Sequence, residues 1–177
     1  FNQPLDSWDV SNVENMESMF RHCDNFNQPL NNWDVSNVKI MKRMFCDAGS
    51  FNQPLNSWDV SNVKDMSEMF QMAYYFNQPL NSWNVSNVKR MNSMFYEAIF
   101  FDQPLDKWDV SNVRTMGYMF FGALKFNQSL NSWKISRKTY TRFMLSDVPS
   151  FKYPDNAIWY IESFDTTLEE AGLDDNS

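Results

Sequence analysis

Phenylalanine recurs at positions 1, 26, 51, 76, 101, 126 and 151, an unbroken spacing of 25 residues. A period of that size marks an array of like units, because one unit cannot bury its own apolar face and must stack on its neighbours. The third copy reads FNQPLNSWDVSNVKDMSEMFQMAYY, and five copies nearly superimpose on it. The sixth keeps FNQSLNSW and then drifts to KISRKTYTRFML, while the seventh keeps Phe151, Pro154 and an apolar rhythm. The array therefore divides into six 25-residue repeats over 1–150 and a degenerate C-terminal cap with an acidic tail over 151–177.

Each copy contains two local signals. Trp58 and Val60 alternate with Asp59 and Ser61, the period-two pattern of a very short strand with one buried edge. Met66, Met69, Phe70 and Ala73 then fall at i, i+3, i+4 and i+7, one apolar face of a helix, with Ser61 or Asn62 as N-cap. Pro79 closes the unit, since it lacks an N–H and disfavours helical geometry before it. The expected fold class is α/β, a solenoid of strand-turn-helix units. Its helix side fans out, so the stack curves with strands lining the inner face. At the C-terminal end, Ala157 to Ile161 reads as a final strand, and Thr166 and Glu169 have capping-box spacing. At the other end Leu5, Trp8, Val10, Met16 and Met19 have no coil outside them, which predicts self-association through the first repeat.

The segment FNQPLNSWDVSNVKDMSEMF resembles the 25-residue repeat of the BspA-like bacterial surface-protein family, which is also found in mycoplasma lipoproteins. The likeness covers roughly Phe1 to Trp133. It implies a leucine-rich-repeat-like solenoid and a surface-exposed or secreted protein with adhesive or protein-binding roles. It supplies no catalytic residues.

The net charge of −7 is unevenly placed. Six acids and no Lys or Arg lie between Glu162 and Ser177, which leaves −1 for everything before them. A nearly neutral body argues against nucleic acid or an anionic membrane as the partner, and no apolar run approaches the roughly 20 residues that span a bilayer.

Candidate chemistry is sparse. His22 is the single histidine, too little for a His-based metal site or a triad, and reads as a solvated surface residue. Cys23 stands where later copies carry alanine, and Cys46 lies elsewhere in the unit, so the pair has neither zinc nor redox spacing. Asp9, Asp34, Asp59 and Asp109 form a ladder interrupted by Asn84, which could be bridged by calcium. Charge pairing with Lys39, Lys64, Lys89 and Arg114 is the simpler expectation. Asn12, Asn37, Asn62, Asn87 and Asn112 are expected to bond backbone between units. No cofactor or metal site is indicated, and the chain reads as non-enzymatic.

Function is sought where the copies differ. Tyr74, Tyr75, Tyr96, Ile99, Phe100, Tyr118, Phe121 and Leu124 are apolar at variable positions and form the candidate partner-binding set. The leading expectation is a protein-interaction scaffold that binds another protein or a larger assembly. The alternatives are a structural component of a cell-surface layer or viral particle, and a carbohydrate binder acting through the exposed aromatics.

Overall fold

The computed structural model describes residues 1–160. The 25-residue unit is one closed coil, and successive coils stack in register. Asn15, Ile40, Asp65, Arg90, Thr115 and Tyr140 are linked in that order by isolated parallel bridges.

The strand-turn-helix solenoid is overturned. Among the described residues there is no helix, no strand forms at Trp58–Ser61, and the isolated bridges fall instead at Asp65 and its equivalents, inside the half expected to be helical. The reason is visible in where the backbone N–H groups go. Met66, Glu68, Phe70 and Met72 donate to the carbonyls of Arg90, Asn92, Met94 and Tyr96 in the next coil, at 2.8–3.0 Å. The residues between them donate within the coil, but three residues back: Met69 to Met66, Gln71 to Glu68 and Ala73 to Phe70, at 3.1–3.2 Å. A helix would send every N–H to the carbonyl four residues back. Half of these donors are instead used between coils, so the segment becomes a chain of overlapping β-turns.

Two of these three turns, Met66–Met69 and Phe70–Ala73, carry a left-handed residue at their third position, as type II turns do. Glu68 (φ 58°) and Met72 (φ 56°) occupy it in the third coil. The same two positions are left-handed in all six coils, with Gly122 the single glycine among them. Their amide groups in the third coil both bond the fourth, so the stack compensates for the backbone strain.

The turns also explain the core. Trp58 donates to Leu55, Val63 to Val60, Met69 to Met66, Ala73 to Phe70 and Phe76 to Ala73. Every one of those residues is buried. Each of these turns sends its first and fourth side chains inward, which gives a recurrent apolar spacing of three, while the intervening Glu68–Gln71 turn keeps its first and fourth side chains half-buried. The alternation at Trp58 and Val60 does place Asp59 outside, yet no strand forms there.

Stacking in register makes columns. Phe45, Phe70, Phe95 and Phe120 lie 5.5–5.7 Å apart and nearly parallel. Phe51, Phe76, Phe101 and Phe126 form a second column at 6.0–6.1 Å. From Trp33 onward each Trp indole N–H reaches back to a Leu carbonyl of the preceding coil, as Trp83 does to Leu55 at 2.9 Å. No buried side-chain nitrogen or oxygen among the described residues lacks a hydrogen-bond partner.

The ends depart from expectation in two ways. Leu5, Val10 and Met16 are buried by their own coil and the next, Met19 is half-buried, and the exposed apolar residues are Phe1 and Trp8. The expected strand from Ala157 is instead a pair of turns, with Ala157 donating to Pro154 and Tyr160 to Ala157. Trp159 extends the Trp column one residue out of period, 6.4 Å from Trp133, with its indole N–H on Leu130 at 2.7 Å. Ile161, the Thr166–Glu169 spacing and the acidic tail lie outside the described residues.

Two stability measurements separate turn from helix and inside from outside. Ser93→Gly should stabilise the chain by up to about 1 kcal/mol by relieving a left-handed serine (φ 53°), where a helix would lose about 0.5 kcal/mol. Gly122→Ala should cost at least about 1–2 kcal/mol, since a Cβ there would stand 2.9 Å from Glu97 Cγ. Trp58→Ala should cost about 3–5 kcal/mol in urea melts, and Tyr75→Ala far less; equal losses would reverse the assignment of core and surface.

Candidate functional site

The predicted partner-binding residues fall on two stripes. Tyr75 and Phe100 occupy the last position of successive coils, both exposed (59% and 44%), with rings stacked 5.4 Å apart at 8°. Leu124 is exposed beside the next position, while Tyr74 and Ile99 are half-buried. On the second stripe, half-buried Tyr96 and Phe121 stack at 5.1 Å, and Tyr118 meets Phe121 with rings tilted at 56°, 5.9 Å apart. No ring of one stripe pairs with a ring of the other among the described residues.

Phe143 is a member of the second stripe that sequence reasoning missed. It lies 5.2 Å from Tyr118, exposed, with the Arg142 guanidinium 4.8 Å above its ring. The signal was its position 25 residues after Tyr118, inside the copy whose motif has drifted. Burial pushes the Tyr74 and Tyr96 hydroxyls up, and the Glu97 carboxylate adds to it in both cases. Both hydroxyls stay neutral donors at ordinary pH.

The acid ladder does a different job from the one expected. Asp9 accepts the Ser11 N–H at 3.0 Å and its hydroxyl at 2.6 Å, and Asp34, Asp59 and Asp109 accept the N–H of Ser36, Ser61 and Ser111 at 3.0 Å. Asn84 makes the same two bonds to Ser86, at 3.2 and 2.7 Å. The requirement at this position is thus an acceptor oxygen that closes a local turn, not a charge. None of these carboxylates is within 4 Å of the Lys39 ladder: the described ion pairs are Lys39–Glu14, Arg43–Glu68, Arg90–Asp65 and His22–Asp47. Hydrogen bonds from Ser11, Ser36 and Ser111, hydroxyl first and then N–H, hold Asp9, Asp34 and Asp109 below the usual aspartate range. Their contribution to stability is complete above pH 3.8 and is lost as pH falls through the lowered folded values.

The asparagine ladder is where it was expected. Asn37, Asn62, Asn87 and Asn112 each donate their amide to a serine carbonyl of the preceding coil at 2.8–2.9 Å. A second ladder went unread: Asn2, Asn27, Asn52 and Asn77 each accept a backbone N–H of the next coil at 2.9–3.0 Å. His22 is exposed as expected, with Nδ1 2.8 Å from Asp47. Cys23 is half-buried rather than buried, Cys46 is buried, and both are free thiols. Burial pushes the Cys46 thiol up.

An open trough of about 390 Å³ passes Asp106, Trp108, Asp109, Ser132 and Lys134. Its acids are engaged, Asp109 by Ser111 and Asp106 by the Asn81 amide at 2.9 Å. Among the described residues no group of three His, Cys, Asp or Glu is placed to hold a metal ion.

A family model described as a Mycoplasma protein of unknown function, DUF285, matches residues 1–99 and again 79–170. No curated protein and no solved structure matches the chain.

The acceptor role of the acid ladder is checked by a pair of substitutions. Asp59→Asn should leave the melting temperature unchanged, whereas Asp59→Ala should lower it by on the order of 2–4 °C. Millimolar calcium or a chelator should shift neither variant nor parent. A rise of several degrees on adding calcium would install a metal at Asp34 and Asp59.

Proposed function

The chain belongs to the DUF285 family, and from that premise and the geometry above we propose that it is a non-catalytic protein-interaction scaffold. The observation that carries the reading is the exposed, stacked Tyr75–Phe100 pair at a position where the copies differ. The repeated polar residues turn inward to the fold: Asp to serine N–H, Asn to neighbouring coils, Trp to Leu carbonyls. At the last position of the coil, two adjacent units carry large exposed rings in place of such a bond. Exposed aromatics of this kind are the residues that dominate binding energy at protein interfaces.

The finer resemblance to BspA-like surface proteins, carried by FNQPLNSWDVSNVKDMSEMF, supports an adhesive role at the cell surface or in the secreted fraction. On that reading the partner is another protein, held by Tyr75, Phe100 and Leu124 on one stripe, with Tyr96, Tyr118 and Phe121 on the other.

The test is a binding screen of the purified chain against extracellular proteins, followed by Tyr75→Ser with Phe100→Ser. Binding should fall at least tenfold in the double variant with its melting temperature held within a few degrees of the parent. Unchanged binding would remove this surface from the function. A chain that binds nothing and self-associates in light scattering would instead favour a structural component of a larger assembly.

A further inference from the structure

One ladder of the coil stack is basic, and three of its successive rungs have no carboxylate partner among the described residues. Lys64, Lys89 and Arg114 hold the same position in successive coils, tied by Lys89 N–H to the Lys64 carbonyl at 2.8 Å and Arg114 N–H to the Lys89 carbonyl at 2.9 Å. Their cationic groups therefore rise along the stack one coil at a time, at about 4.8 Å per step. Arg90 lies alongside, and the four cations with Thr115 enclose a cleft of about 210 Å³.

The rest of the molecule shows what the chain does with a charge it needs to neutralise. Arg43 meets Glu68 through two bonds of 2.8 and 2.9 Å, and His22 meets Asp47 at 2.8 Å, each across one coil interface. In the basic ladder itself the first coil carries Glu14, and Lys39 pairs with it at 2.8 Å. The next three coils do not repeat that solution. Lys64, Lys89 and Arg114 have no carboxylate within 4 Å among the described residues. Asp65, the acid paired with Arg90 of the cleft, accepts the Ser67 N–H at 2.9 Å and reaches Arg90 at a long 3.5 Å. The aspartates of the acid ladder are turned to serines instead. Three like charges held in register repel one another, and nothing described in the chain relieves it.

We infer that the cleft along Lys64, Lys89, Arg90 and Arg114 is a binding site for a multivalent oxyanion, one molecule carrying several phosphate or sulfate groups along its length. Guanidinium forks match tetrahedral oxyanions through paired N–H bonds, and ammonium groups add mobile point charges beside them. A single anion answers one step of the ladder, whereas a chain of them answers all three. The site is a different stripe from the aromatic one and does not depend on it.

The experiment is calorimetric titration of the full chain, in chelator-treated buffer at low ionic strength, with inorganic tripolyphosphate and separately with a sulfated oligosaccharide. At least one should bind with near 1:1 stoichiometry and weaken steeply with added salt. Lys89→Gln with Arg114→Gln should weaken it at least tenfold, and Lys107→Gln, which removes one charge outside the cleft, should change it less than twofold. Near-UV circular dichroism of the double variant reports that the stack is intact. The tighter of the two probes identifies phosphate or sulfate as the natural source. Absence of binding by both, equal binding by the double variant, or equally tight binding of duplex DNA per charge would overturn the site.

Discussion

The bond on which this molecule depends is the backbone N–H that leaves its own coil. In each of the first five coils, alternate amides between the two Met positions and the end of the turn chain point along the stack to carbonyls 24 residues ahead. Those bonds are directional and evenly spaced, so they set the register between coils, and every side-chain ladder inherits it. They also decide what the segment cannot be. An amide that bonds the next coil is not available to the residue four back, and a helix is ruled out donor by donor.

The columns of Phe and Trp are consequences of that register rather than its cause. Rings fall above rings because identical residues occupy identical places, and the offset of 5.5–6.1 Å between nearly parallel planes is a favourable stacking geometry. The hydrophobic columns then exclude water from the coil interior, where the Trp indoles and Leu carbonyls can pair without competition. Left-handed residues at two places per coil are the strain that remains. They persist on residues as varied as Ser93, Glu68 and Tyr118 because the inter-coil bonds over-determine the backbone there.

The period, the inward residues and one asparagine ladder were legible from the residues alone. The helix was misread because Met66, Met69, Phe70 and Ala73 satisfy two rules at once, the helical face and the turn spacing. Reading beyond that half would have separated them. Leu55 to Trp58 is also three apart, in a stretch where no helix was expected, Val60 to Val63 and Ala73 to Phe76 carry the spacing across both ends of the expected helix, and a helical stripe does not run on through Pro54 and Pro79. The Asp ladder was misread as an electrostatic device because its charge was more conspicuous than its acceptor oxygens; Asn84 held the answer. Phe143 was hidden by motif drift, although its register survives. The surface stripes could not be derived further, since which variable side chains face solvent depends on turn geometry that the residue pattern does not encode.

Near-identity of the coils has a consequence for how such a protein changes length. The face that the second coil offers to the third matches the face that the third offers to the fourth, down to the Trp–Leu, Asn–Ser and Asn–amide bonds. Removing or duplicating one 25-residue unit within that stretch re-forms these repeated bonds at the new junction and alters only coil-specific pairs such as Arg43–Glu68, so the stack can be shortened or extended in whole coils at modest energetic cost. Length becomes a quantised and heritable variable, adjustable by recombination between like segments. Each step moves whatever is carried at one end by about 4.8 Å relative to the other, with the repeated inter-coil bonds kept.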